Sequence, residues 1–286
     1  MTLTRSVLGL LLLFCWTVAC DLEEEPAASY LYIQPFQFAI RPGEGTAHHK
    51  VSDAWVFVNG EFAGAYELPV WLPVLAKGPS DILILPGFRI NGSITNNARF
   101  QLAENFSVNV DLTPEETDTI RPVTAYQSGL VFPFVEDFEG NHFLSNDRDG
   151  DAETNILLSN TTEAFEGQNS GVIELTAQHP RLVAEYLIEQ AIPKSADPIL
   201  LELSFKSDIP FSIGFFGYND QLGQENLLYG TVLPKQDWTK IYFDFREIIN
   251  QSNSQKFRLA LSAGFNADTA KTVQRILIDN FKVVHR

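Results

Sequence analysis

The chain is 286 residues long, enough for one large domain or two small ones. Hydrophobic residues at 45% and charged residues at 20% exclude wholesale disorder and a fibrous repeat. A formal net charge of −16 repels phosphate backbones and argues against nucleic acid as a partner, while 22 Phe against a single Met lean towards β structure.

At the N-terminus Arg5 precedes an apolar run over residues 7–19. A helix of that length spans about 20 Å, short of a hydrocarbon core of about 30 Å, so residues 1–19 read as a secretory signal peptide and not as a membrane span. The run ends Thr17-Val18-Ala19-Cys20, which resembles the lipobox of bacterial lipoproteins, with Thr17 where that family usually has Leu. The resemblance implies cleavage before Cys20 and lipid joined to its thiol; an ordinary signal peptide containing a Cys is the other reading. Cys15 lies inside the run, so a cut there leaves Cys20 alone and removes any internal disulfide, Cys nucleophile or thiolate metal cluster. Residues 20–29 then form a lipidated Cys and an acidic tether. Asp21, Glu23, Glu24 and Glu25 make it a solvated linker, or resemble the export signal that sends some lipoproteins to the outer face of the outer membrane. The expected location is the outer membrane, lipid-anchored, with the cell surface as the exported alternative.

Residues 30–126 show short β-branched and aromatic runs broken by Gly, Pro and Asn. Asn59-Gly60 between apolar runs predicts a hairpin with a type I′ turn, since both central residues need φ > 0. Trp55 and Phe57 fall on one face and Val56 and Val58 on the other, as in a strand with two apolar faces. Val56, Val58 and Gly60, then Gly64, Leu68-Pro69 and Gly78, then a strand ending in Pro86-Gly87, resemble the PEGA-type surface domain, with residues 72–77 as an insert. That resemblance implies a small Ig-like β-sandwich and no catalytic residues. Residues 113–119 read as a turn or one helical turn, and residues 121–130 as a domain boundary.

Residues 131–286 hold strand-like runs at 171–176, 184–188, 199–205, 211–216, 227–233, 240–245, 257–263 and 276–284, the strand count of a jelly roll. The opening Asp137-Phe138-Glu139-Gly140, the central segment from Asp237-Trp238 to Phe245, and the closing Ile278-Asp279-Asn280-Phe281 resemble galactose-binding-like jelly rolls, to which many carbohydrate-binding modules belong. The fold class is therefore all-β: a PEGA-like sandwich, then a jelly-roll sandwich. The whole layout resembles a family of uncharacterised lipoproteins of Gram-negative envelopes.

Candidate chemistry is sparse. The five His form no HExxH or zinc spacing, and the adjacent His48 and His49 read as loop residues. Glycoside hydrolases need two acids about 5–10 Å apart; Glu136/Glu139, Asp244/Glu247 and Glu185/Glu189 all miss the i, i+2 spacing that places two carboxylates on one strand face. Around Gly150, alternating oxygen side chains suit Ca²⁺, which makes Asp147, Asp149, Asp151 and Glu153 candidate ligands against the reading of a solvated acidic loop. The jelly-roll resemblance implies a second calcium position between the first and last strands, at Glu139 and Asp279. No other cofactor is expected. Phe215, Phe216, Tyr218, Tyr229, Trp238 and Tyr242 are the aromatics on which a sugar ring could stack; Phe215, Phe216 and Trp238 also read as core, and the jelly-roll resemblance implies core for Trp238. Tyr218, Asn219, Asp220 and Gln221 combine ring and hydroxyl-binding groups in one loop and are the candidate ligand residues. These features lead to a non-enzymatic, lipid-anchored envelope protein whose jelly roll binds a glycan or envelope component. Docking of a partner protein in a structural or assembly role, and glycoside hydrolysis, are the alternatives.

Overall fold

The computed structural model describes residues 27–93 and 95–286; the signal peptide, Cys20 and most of the acidic tether lie outside the described residues. Among the described residues the chain is all-β with one short helix. The first ten strands are β1 (Ser29–Ile33), β2 (Gln37–Ala39), β3 (Asp53–Val58), β4 (Glu61–Glu67), β5 (Val70–Val74), β6 (Gly78–Arg89), β7 (Asn97–Arg99), β8 (Phe106–Leu112), β9 (Thr117–Ile120) and β10 (Val123–Ala125). A three-stranded sheet, β5-β1-β9, packs on a sheet in which β3 lies between β4 and β6, and β7 and β8 pair the two halves of β6. Period-two alternation sends Leu31, Ile33, Leu72 and Val74 from one sheet and Ala54, Val56, Ile82 and Ile84 from the other into a common core. Asn59 and Gly60 take φ of 52° and 84°, the left-handed values the predicted hairpin turn requires.

Three local expectations differ from the structure. Strand β6 does not end at Pro86-Gly87 but runs through to Arg89, pairing Ala54 with Pro86 and Asp53 with Gly87. Gly87 is needed there because a Cβ would overlap the Trp55 ring. The first half of the insert at residues 72–77 lies in β5, paired in register with β1. Residues 113–116 form the expected turn, the Glu116 amide donating to the Thr113 carbonyl at 3.1 Å, but residues 117–120 are β9, drawn into parallel pairing with β1.

The second sandwich comprises β11 (Val131–Glu136), β12 (Asn146–Asp147), β13 (Leu157–Leu158), β14 (Gly171–Thr176), β15 (Arg181–Glu185), β16 (Leu200–Ser207), β17 (Phe211–Asn219), β18 (Gly223–Val232), β19 (Lys235–Asp244), the helix α1 (Arg246–Gln251), β20 (Lys256–Gly264) and β21 (Val273–His285). One sheet has the order β13-β14-β21-β16-β19, with β11 also on β21; the other has the order β12-β15-β20-β17-β18. All pairings are antiparallel, and the two sheets close over Phe134, Phe205, Phe215, Phe257, Leu203, Leu261 and Ile278 as a jelly-roll β-sandwich.

The two sandwiches meet over part of the outer face of the β21-β16-β19 sheet. Leu200, Tyr242 and Val284 belong to the first sandwich's core, where the Tyr242 ring lies 4.9 Å from Phe88 and 5.9 Å from Phe100. Residues 121–130 carry β10 and the buried Tyr126, whose hydroxyl donates to Glu202 at 2.6 Å. Glu202 pairs with Lys240 at 3.0 Å and lies 3.9 Å from Lys282. The two ammonium groups also donate to the His48 and Glu44 carbonyls, each at 2.8 Å. Burial pulls the Lys282 ammonium down to about 8, opposed by the Glu202 charge. Burial alone would raise the Glu202 carboxyl, but Lys282, Lys240 and the Tyr126 hydroxyl outweigh it and hold the group below its usual range.

Candidate ligand-binding face

Strand alternation makes one face of the β12-β15-β20-β17-β18 sheet core and the other external. Leu182, Ala184, Leu259, Leu261 and Phe215 point inward, whereas Val183, Ala260 and Phe216 form a separate cluster outside, with Tyr218 and Leu228 packed on it. The register sets Arg258 beside Phe216 and Lys256 beside Tyr218 on neighbouring strands. Arg148, just beyond β12, lies over the Phe216 ring at 5.2 Å, and Arg258 lies over the Tyr218 ring at the same distance.

Glu185 organises this face. Although external, it is fully buried beneath its neighbours. Its carboxylate accepts from the Tyr218 hydroxyl at 2.6 Å, Asn146 Nδ2 at 2.5 Å and Arg258 Nη1 at 2.9 Å, with Arg148 Nη1 at 3.8 Å. Burial and the bond to Glu185 push the Tyr218 hydroxyl up to about 12, so it remains a donor at neutral pH. Arg258 Nη2 reaches Glu189 at 3.1 Å, and Arg148 Nη2 donates to Gln224 at 2.6 Å. Arg258 Nε–H is buried and has no hydrogen-bond partner, an unspent donor within an otherwise satisfied network.

Of the predicted ligand residues, Tyr218 stands on this face. Asn219, Asp220 and Gln221 belong to the β17–β18 hairpin tip beside it. There Asn219 Oδ1 accepts from the Gln221 and Leu222 amides and its Nδ2 donates to the Asn253 carbonyl, so its polar groups hold the turn. Phe215 and Tyr242 are core, Phe216 is external but covered, and Tyr229 is 71% exposed on the edge strand. Trp238 is half-buried on the outer face of the opposite sheet and is not part of the core.

The acidic loop closes on itself. Asp147 accepts from the Asp149 and Gly150 amides; Asp149 accepts from the Asp151 and Val183 amides and the Thr154 hydroxyl; Asp151 accepts from the Glu153 amide and pairs with His179 at 2.9 Å. Glu153 is exposed beside them. Glu139 and Asp279 do line one hollow of about 210 Å³, together with Asp137 and Glu166. Glu139 there accepts the Gln168 and Asn169 amides, and Asp279 accepts the Ser170 hydroxyl and the Asn280 amide, both at 2.7 Å. Burial pushes the Asp279 carboxyl up to about 6 against those bonds. Among the described residues, no group of three or more His, Cys, Asp or Glu side chains is placed to hold a metal ion. Asp147, Asp149, Asp151, Glu139 and Asp279 each accept backbone or hydroxyl donors.

No protein-family model matches the chain, and no curated protein matches it. Among solved structures it is similar to the family 30 carbohydrate-binding module of the cellulosomal cellulase Cel9D-Cel44B of Clostridium thermocellum, at 17% identity and a TM-score of 0.41, over 54% of this chain and 96% of that one. A family 11 carbohydrate-binding module from Clostridium thermocellum, in complex with a β-1,3-1,4-mixed-linked tetrasaccharide, shows 14% identity and a TM-score of 0.37, over 55% and 96%. TmCBM61 in complex with β-1,4-galactotriose shows 15% identity and a TM-score of 0.33, over 52% and 94%.

Arg148, Glu185 and Arg258 were not among the predicted ligand residues. Arg148 sits within the acidic loop, and Glu185 carries no motif. The available signal was Phe216 and Tyr218 two apart in one strand, which places both rings on one face.

Proposed function

We propose that this chain is a lipid-anchored protein of the outer membrane that binds a glycan, without catalysing its turnover, through the outer face of the β12-β15-β20-β17-β18 sheet. The observation that carries the proposal is the Glu185 network, which fixes the Tyr218 ring and Arg258 side by side. Ring and guanidinium planes offer surfaces for the C–H faces of a sugar, and Arg258, Gln224 and Glu189 offer partners for its hydroxyls. Side chains already held by hydrogen bonds lose little freedom on binding, which leaves more of the contact energy as affinity. A binding role is favoured over hydrolysis because the Glu185 oxygens are committed to Tyr218, Asn146 and Arg258, and Arg258 ties Glu189 to the same cluster. The anchor rests on Cys20 at the end of the apolar run.

A glycan array probed with the full chain in detergent tests the reading. Retention of neutral oligosaccharides, lost in Tyr218→Ala, supports it; an array with no retained glycan refutes it. A second reading, docking of a partner protein, is favoured by one observation. On the outer face of β5-β1-β9, Tyr30, Tyr32, Trp71, Pro73 and then Leu75 form an apolar strip, with Trp71 62% and Leu75 75% exposed.

A further inference from the structure

A cavity lies on the opposite sheet from the Tyr218 face, on the part of the β21-β16-β19 outer surface that the first sandwich leaves open. It has a volume of about 530 Å³, within the range of small-ligand pockets. Lys206, Trp238 and Leu277 extend from those three strands, and Thr162, Glu163 and Ala164 close one side. We infer that this cavity is a second binding site, for an acidic saccharide, with Lys206 receiving the sugar's anionic group and Trp238 its ring.

Charge is the first support. The cavity is lined by Lys206, Lys271 and Arg275 against Glu163 and Asp208, a local excess of positive charge in a chain of net charge −16. Lys271 pairs with Asp208 at 2.5 Å, and Arg275 pairs with Glu163 at 2.5 Å and Glu174 at 3.0 Å. These pairs hold their cations in place. Lys206 is exposed, lines the same cavity and forms no ion pair among the described residues; its charge acts on Glu163 across the cavity, and its ammonium remains open to a ligand.

The remaining lining distinguishes a sugar from a bare anion. Trp238 is half-buried, its ring centroid 5.1 Å from that of Phe165, which in turn lies 4.5 Å from the His48 ring of the first sandwich. The indole is thus buttressed through the domain interface, as a stacking surface requires. The exposed Gln236 amide bonds Asp208 and reaches the Ser207 carbonyl at a long 3.5 Å. An apolar plane, an exposed amide and an ammonium outside any ion pair match the face, hydroxyls and carboxylate of a uronic acid. A small inorganic anion would use only the last.

The test is titration calorimetry of the full chain in detergent with trigalacturonate, in a Tyr218→Ala background that disables the other face. Trigalacturonate should bind this background, about tenfold more weakly in Lys206→Gln and more weakly at high salt, because the contact is a partly exposed charge pair. Lys206 is exposed, so its substitution leaves the fold intact; Trp238→Phe, which keeps an aromatic plane, should weaken binding less than Trp238→Leu. Inorganic phosphate should not displace the oligosaccharide. Absence of binding in the Tyr218→Ala chain, affinity unchanged by Lys206→Gln, or displacement by millimolar phosphate would each overturn the inference without touching the Tyr218 face.

Discussion

Replacing Glu202 by Gln removes the carboxylate shared by Lys240 and Lys282 at the centre of the contact between the sandwiches. All three groups are at most 1–2% exposed, so water cannot take over the lost partner. Removing one member of a buried ion pair costs about 3–5 kcal/mol because the remaining charge is left uncompensated. At roughly 2–4 °C per kcal/mol for a protein of this size, the melting temperature should fall by about 6–20 °C. The pH dependence gives a sharper test. Lys282 titrates at about 8 in the folded chain against a reference of 10.5, so the unfolded chain binds more protons between those values and stability rises as pH increases through that window. The shift corresponds to about 3 kcal/mol. Without Glu202 the Lys282 ammonium falls further and the window opens below pH 8, so the variant should recover part of its deficit by pH 10. Thermal unfolding at pH 7 and pH 10 measures both quantities. A deficit below about 1 kcal/mol, or one equal at the two pH values, would refute the assignment of Glu202 as the shared counter-ion.

Cys20→Ala should abolish metabolic lipid labelling and membrane retention; labelling that persists would remove the anchor. Gly214→Ala should destabilise the second sandwich by about 1–3 kcal/mol in urea unfolding, because the added Cβ would overlap the Leu227 carbonyl oxygen across β17 and β18. Millimolar Ca²⁺ should leave the melting temperature unchanged, since the acidic-loop and terminal-strand carboxylates already bind their own backbone and hydroxyl donors. A rise abolished by Asp149→Ala would place an ion in the loop, and one abolished by Asp279→Ala would place it between the terminal strands.

Much of the architecture was legible because local chemistry and tertiary context agree. Asn59-Gly60 supplies the φ values of its turn, and β14 falls on the predicted residues 171–176 because Gly and Ser before it and the Gln-His-Pro turn after it bound an apolar run. Pro86-Gly87 misled because its turn chemistry is overridden by the Trp55 ring, which needs a residue without Cβ in mid-strand. The ligand face was legible only at Tyr218. Its partner Glu185 is 33 residues away, and Glu185 reaches Arg258 across 73, so the network exists only once the β15-β20-β17 register is formed. Trp238 is a large apolar side chain flanked by Asp237, Thr239 and Lys240, so the residues around it do not fix which face it takes. The first sandwich covers only the Tyr242 end of that outer face, and Trp238 lies beyond it.

The Tyr218 face is the proposed glycan site. The measurement that bears on it most directly is titration of the strongest array-selected neutral oligosaccharide into three chains of matched melting temperature: the unsubstituted protein, Tyr218→Ala and Lys206→Gln. Stacking contributes about 1 kcal/mol or more, and the Glu185 bond that fixes Arg258 beside the ring is disturbed as well. Tyr218→Ala should therefore weaken affinity about tenfold or more, while Lys206→Gln, on the opposite sheet, leaves it unchanged. Equal affinity in the unsubstituted and Tyr218→Ala chains would contradict the account.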